Sequence, residues 1–209
     1  MKKYLFFCVL LAAALLVACQ GGTNKEKKHN PKFDNPADIE GKVDTTMYTL
    51  VNSVDSDSIE VKVLETGRVY RFSITPAKVN NAIWGDIEES DTIAIMPDLK
   101  SKSIVSSINL NCLYGLWMFK DKDGEGLRLL SDGGAMAIGW DSDVLLRRWK
   151  IYNGMLYLYT IPADGSDYDE LPFECSIEYV SDERFVFNLQ GDRYDCYKQK
   201  GRIEISNNN

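Results

Sequence analysis

The chain carries one histidine, His29, inside the polar run QGGTNKEKKHNPKFDN of residues 20–35. A Ser-His or Cys-His nucleophile pair needs an imidazole beside the nucleophile, so the rest of the chain holds no such pair. A lone histidine in a solvated stretch is also a poor metal ligand. Neither a G-x-S-x-G elbow, a Walker loop nor a His-based metal motif occurs. What remains is carboxylates. The run DKDGEG sets Asp121, Asp123, Glu125 and Gly126 together, with Asp132 downstream, as a calcium loop would. Strand-like stretches flank it and Leu129 takes a ligand position, which favours a solvated hairpin turn. ADGSDYDE, with Asp164, Asp167, Asp169 and Glu170, reads as a charged loop. A carboxylate dyad is compatible with so many acids, but no spacing selects one. The expectation is a protein that is not an enzyme, with no cofactor and no metal.

Five cysteines divide into two groups, Cys8 and Cys19 near the start and Cys112, Cys175 and Cys196 later. The start reads MKK and then YLFFCVLLAAALLVA, a basic segment and an apolar one too short to span a bilayer comfortably. It ends in LVAC, Leu16 to Cys19. This resembles the lipobox of bacterial lipoproteins, which implies cleavage before Cys19 and a diacylglycerol on its thiol. Residues 1–18 are then a signal peptide, 19–36 a lipid-anchored tether, and the partner a membrane, by preference the outer membrane of the cell envelope. Two or more acyl chains hold where one binds only marginally. Losing Lys2 and Lys3 leaves 24 − 2 = 22 basic against 31 acidic residues, net −9. Such a charge repels polyphosphates, which argues against a nucleic-acid partner. The three later cysteines are an odd number. At most one disulfide forms among them, with Cys175–Cys196 the first pair to consider, against three buried free thiols.

Hydrophobic residues make up 44% of the chain, enough for a packed core. Residues 37–111 read as short strands: TTMYTLVNSV, SIEVKVLE with alternating Ile59, Val61 and Val63, RVYRFSI, then DTIAIMP and SIVSSINL. TPAKVNNAI between them suits a short helix with Pro76 in its first turn. Three strands, a helix and two strands resemble the order of an OB-like barrel. Residues 36–112 carry seven basic and twelve acidic groups, so the nucleic-acid version of that fold is disfavoured.

Residues 112–209 keep strand spacing with turn chemistry between runs. The runs are GLWMFK, LRLL, AMAIGW, RRWKIYNGMLYLYTIP joined at its NG turn, LPFECSIEYV, RFVFNLQ and RYDCYKQ. About eight short strands is the count at which an up-and-down antiparallel sheet closes on itself and removes its edges. The meeting point expected is LYGLW against RYDCYKQ.

Residues 115–198 are similar to the lipocalin-like domain of lipoproteins from Bacteroides-type bacteria. LYGLW, GEGLRLLSDGGAMAIG, the Trp before the hairpin in RRWKIYNGMLYLY and the closing YDCYKQ carry the likeness. The resemblance implies that Trp117 plugs one end of the barrel and that Gly115 lets chain pass close beneath it. It also implies an Arg packed on that Trp, Arg193 or Arg202, and a helix before the last strand, which no pattern here provides.

Alternation predicts an inward face that includes Trp117, Phe119, Leu127, Leu129, Met136, Ile138, Trp149, Ile151, Phe173, Cys175, Ile177, Tyr179, Phe185, Phe187, Tyr194 and Cys196. Of these, Phe119, Met136, Ile138, Trp149, Phe173, Ile177, Tyr179, Phe187 and Tyr194 are the candidate lining of a pocket for a small apolar or amphipathic ligand. The alternative is that they fill the barrel, leaving a structural or adaptor protein that meets an envelope protein partner through its surface. A glycan-binding module is a third reading, suggested by Trp84 or Trp140. The fold expected is all-β, a small OB-like barrel followed by a lipocalin-like one.

Overall fold

The computed structural model describes residues 41–140, 143–164 and 169–200. The leader, Cys19, the tether with His29, Asp167 and Arg202 lie outside the described residues.

Strands β1 (Met47–Val54), β2 (Ser58–Val63) and β3 (Val69–Ser73) form an antiparallel meander. Ile59, Val61 and Val63 all point inward, as their alternation requires. The helix α1 (Thr75–Val79) follows, with proline in its first turn where a missing N–H costs nothing. After the two-residue β4 (Ile83–Trp84), strands β5 (Thr92–Asp98) and β6 (Ser103–Asn109) complete the sheet. Its order is β3-β2-β1-β5-β6-β4, and the parallel Ser73–Ser103 pairing returns β6 to β3. The result is a closed five-stranded barrel with β4 laid parallel on the outer edge of β6.

The four-residue helix α2 (Leu110–Leu113) connects the two halves. The Asn109 side chain caps it by accepting from the Asn111 N–H. Then come β7 (Gly115–Phe119), β8 (Gly126–Leu129), β9 (Ala135–Ile138), β10 (Val144–Tyr152), β11 (Met155–Pro162), β12 (Leu171–Val180), β13 (Arg184–Leu189) and β14 (Asp192–Lys198). Each strand pairs with its chain neighbours except across one seam, and β14 returns to β7 through Cys196–Phe119, Tyr197–Met118 and Lys198–Trp117. The two sequence stretches expected to meet therefore do. The seam lies between β9 and β10, where a single Gly134–Arg148 bridge and the Trp149 N–H on Gly133 O stand in for a ladder. The barrel of eight antiparallel strands is thus nearly closed.

The halves share a core. Ala94, Ile108, Leu110 and Leu113 belong to the same buried cluster as Trp117 and Trp149. Polar contacts reinforce the junction: the Tyr48 hydroxyl donates to Ile151 O and accepts from Ile151 N. The NG turn of β10–β11 docks on the first barrel, with the Asn153 amide accepting from Thr45 N and donating to Val43 O.

Candidate functional site

Ring packing dominates the second barrel's interior. Trp117 is fully buried and stands 5.5 Å from Phe185 between ring centres. Phe185 stacks on Phe187 at 4.7 Å, Phe187 on Tyr194 at 5.1 Å, and Tyr194 meets Phe119 at 4.9 Å. Phe173, Leu127, Leu129, Cys175 and Cys196 are buried in the same cluster, with Ile177 and Trp149 at its margin. These rings come from β7, β13 and β14, so the file runs across the strands that close the barrel. Burial pushes the Tyr194 phenol up to about 12.

Trp117 donates its indole N–H to Leu113 O at 2.8 Å, tying the first strand of the barrel to α2. Among the described residues it is Lys198 that packs on it: its ammonium lies 4.8 Å from the ring centre and donates to Cys112 O. Arg193 instead pairs with Glu178 at the surface. Burial lowers the Lys198 pKa. Gly115 has φ +140°, and a Cβ there would sit 3.1 Å from the Lys198 stem. Glycine is thus required for the backbone angle and for the lysine lying across it. The phase of the last strand carried this signal, since Tyr194, Cys196 and Lys198 alternate on one face.

Three of the expected inward residues point elsewhere. Met136 is 44% exposed because β9 runs one position out of phase with the prediction, and Ala135 takes the inward place. Met136 instead borders a surface hollow of about 460 Å³ at the seam, beside Trp140. Tyr179 is 49% exposed. A bulge at Glu178 inserts one residue between the Ile177–Phe187 and Tyr179–Val186 pairs, so the inward phase passes to Val180. Ile138 shares the phase of Met136 on β9 and is only half-buried, Ala137 packing against the core in its place. Cys112, Cys175 and Cys196 are all free and buried, and burial pushes the Cys112 and Cys196 thiols up to about 12. None of the three is therefore poised as a thiolate near neutral pH.

The bulge turns Tyr179 into an open cleft of about 520 Å³ between the barrels. Trp84 lines it from the first barrel. Gly85, at φ +82°, lets the chain turn against Asn109, where a Cβ would approach the Asn109 side chain to 2.8 Å. The buried Asn109 amide donates to Asp86 O and to the Asp91 carboxylate, pinning this loop beside the cleft. Sequence reasoning singled out Trp84 and assigned Tyr179 to the barrel interior, since neither the bulge nor the Asn109 anchor leaves a local pattern.

DKDGEG forms the β7–β8 turn, and no group of three or more His, Cys, Asp or Glu side chains placed to hold a metal occurs among the described residues. No protein-family model, no curated protein and no solved structure matches this chain.

Proposed function

We propose that the chain is a lipoprotein of the cell envelope, anchored through Cys19, which acts without catalysis through its surface. The first barrel is read as OB-like: in chain order its five barrel strands run 1-2-3-5-4 around the closure, with the helix between the third and fourth. The second is read as a lipocalin-like barrel whose interior is filled. The observation that carries this reading is the unbroken file of rings from Trp117 through Phe185, Phe187 and Tyr194 to Phe119. An eight-stranded barrel has room either for its own side chains or for one small ligand. Rings already at contact distance use that room. The partner implied is another envelope protein or an envelope component met at the surface, and the net charge of −9 left after cleavage before Cys19 favours neutral or basic partners.

The mature chain, purified from membranes, tests this by native mass spectrometry and by melting with and without palmitate. The expected result is a lipid mass on Cys19 that Cys19→Ala abolishes, and no palmitate-dependent rise in Tm. One amphiphile retained per chain, with shifted Phe185 and Phe187 resonances, overturns the filled-barrel reading in favour of a carrier of small apolar ligands.

A further inference from the structure

We propose that the cleft between the barrels is a carbohydrate site, taking a neutral, hydroxyl-rich glycan segment against the Trp84 indole and the Tyr179 phenol. The inference rests on the reading that this protein works through its surface.

A sugar ring has an apolar C–H face and a rim of hydroxyls. A site for it needs aromatic side chains with planar polar groups beside them. The cleft has both. Trp84 is half-buried on the first barrel and Tyr179 half-exposed on the second, so a ligand would bridge the two. Among the described residues the Trp84 indole N–H, the Tyr179 hydroxyl, the Asn81 amide and the Asp86 carboxylate make no hydrogen bond or ion pair. Four donor or acceptor groups thus face an open cleft with their capacity unused, which is unlike the Trp117 and Trp149 indoles, both bonded to backbone carbonyls.

Charge selects a neutral ligand. Lys78 donates to Ser56 O, and Glu178 holds Arg193 and the Asn188 amide, each at 2.8 Å. Among the described residues Lys78 and Asp86 are the cleft's charged groups without a counter-ion, one of each sign, so no net unpaired charge is left there. A polyanion finds a single ammonium there, Lys78, already donating to a carbonyl and set beside the Asp86 and Glu178 carboxylates that repel it.

The backbone is built for this arrangement. The bulge at Glu178 re-aims Tyr179 from the barrel interior to the cleft, as bulges beside binding sites do. Gly85 and the buried Asn109 fix the loop that carries Trp84 and Asp86.

The test is the mature chain on an array of neutral glycans, followed by titration of the strongest oligosaccharide while observing indole ¹⁵N–H signals. The Trp84 signal, identified as the one missing in Trp84→Phe, should move, and those of Trp117 and Trp149 should stay. Tyr179→Ala, at an exposed position that leaves the fold intact, should weaken binding at least about tenfold, and Trp84→Ala likewise. Affinity should be unchanged between low and high salt. A flat array overturns the proposal, as does binding that survives Tyr179→Ala or falls steeply with salt. A flat array with no palmitate response removes the cleft alone. Palmitate bound inside the barrel removes the surface reading whatever the array shows.

Discussion

The five-stranded barrel is filled chiefly by Val51, Ile59, Val61, Ile93, Ile95 and Ile104, with Phe72 its one buried ring among the described residues. In the eight-stranded barrel the same role falls to Trp117, Phe119, Phe173, Phe185, Phe187 and Tyr194, helped by leucines. Barrel diameter grows with strand number, so each interior demands side chains of matching reach. Branched aliphatics meet across five strands; across eight they would leave a hole, and rings bridge it. The chain thus answers a wider barrel with larger residues where a ligand carrier would leave the space open. The proposed binding site accordingly lies outside both interiors, in the cleft where the barrels meet.

The largest expected effect breaks that comparison. Phe185→Ala removes a fully buried ring that touches both Trp117 and Phe187, and should cost about 3–5 kcal/mol. Ile95→Val, its counterpart in the first barrel, should cost about 0.5–1.5 kcal/mol. The gap left by Phe185→Ala is apolar and the size of a phenyl group, so benzene should raise the Tm of the variant and not of the parent chain. An equal rise in both would mean that the wide barrel already holds unused space.

Trp117→Phe asks how much of the barrel's mouth depends on one polar bond. The substitution keeps an aromatic ring but leaves Leu113 O without its donor and Lys198 without the indole face. A loss of about 2–3 kcal/mol is expected by chemical denaturation. The first barrel has no equivalent buried indole to lose.

Much of this contrast was legible in the chain because strands announce themselves by alternation. The Phe185, Phe187, Tyr194 and Cys196 phase predicted burial, and the NG hairpin and the β7–β14 meeting point followed from turn chemistry and strand count. Alternation fails wherever one residue is inserted. The bulge at Glu178 reversed Tyr179, and the short β9, too brief to display a phase, concealed that Ala135 and not Met136 faces in. The Lys198 contact was missed because a charged side chain is not expected inside; its ammonium reaches a carbonyl at the barrel's end while the stem packs on Gly115 and Trp117. The cleft was invisible for a different reason. It joins residues about a hundred positions apart on two barrels, and nothing local encodes how those barrels dock.

Tyr48→Phe tests that docking. The hydroxyl serves as donor and acceptor to Ile151, and burial holds its pKa up near 12. Removing it should cost about 1–2 kcal/mol. Because Ala94, Ile108 and Leu110 still share a core with the second barrel, melting should remain a single transition. Two separated transitions would show that the barrels are joined mainly by this hydroxyl.

The smallest effect lies in how the wide barrel is fastened. The first closes through the Ser73–Ser103 pairing, whereas β14 and β7 meet over three residue pairs flanked by a charge cluster. Asp195 on β14 accepts from Arg184 on β13 and pairs with Lys120 just beyond β7, which together hold its carboxyl down to about 2, the Arg184 bond contributing most. An unfolded aspartate titrates near about 3.9. The native state therefore binds fewer protons than the unfolded one across that interval, and the contribution is present above about pH 4 and lost as pH falls toward 2. Arg184 and Lys120 are nearly half exposed, so screening should keep the effect below about 1 kcal/mol. Asp195→Asn should lower Tm slightly at pH 7 and flatten its decline between pH 4 and 2. An unaltered acid limb would mean that the ladder fastens the barrel without help from these charges.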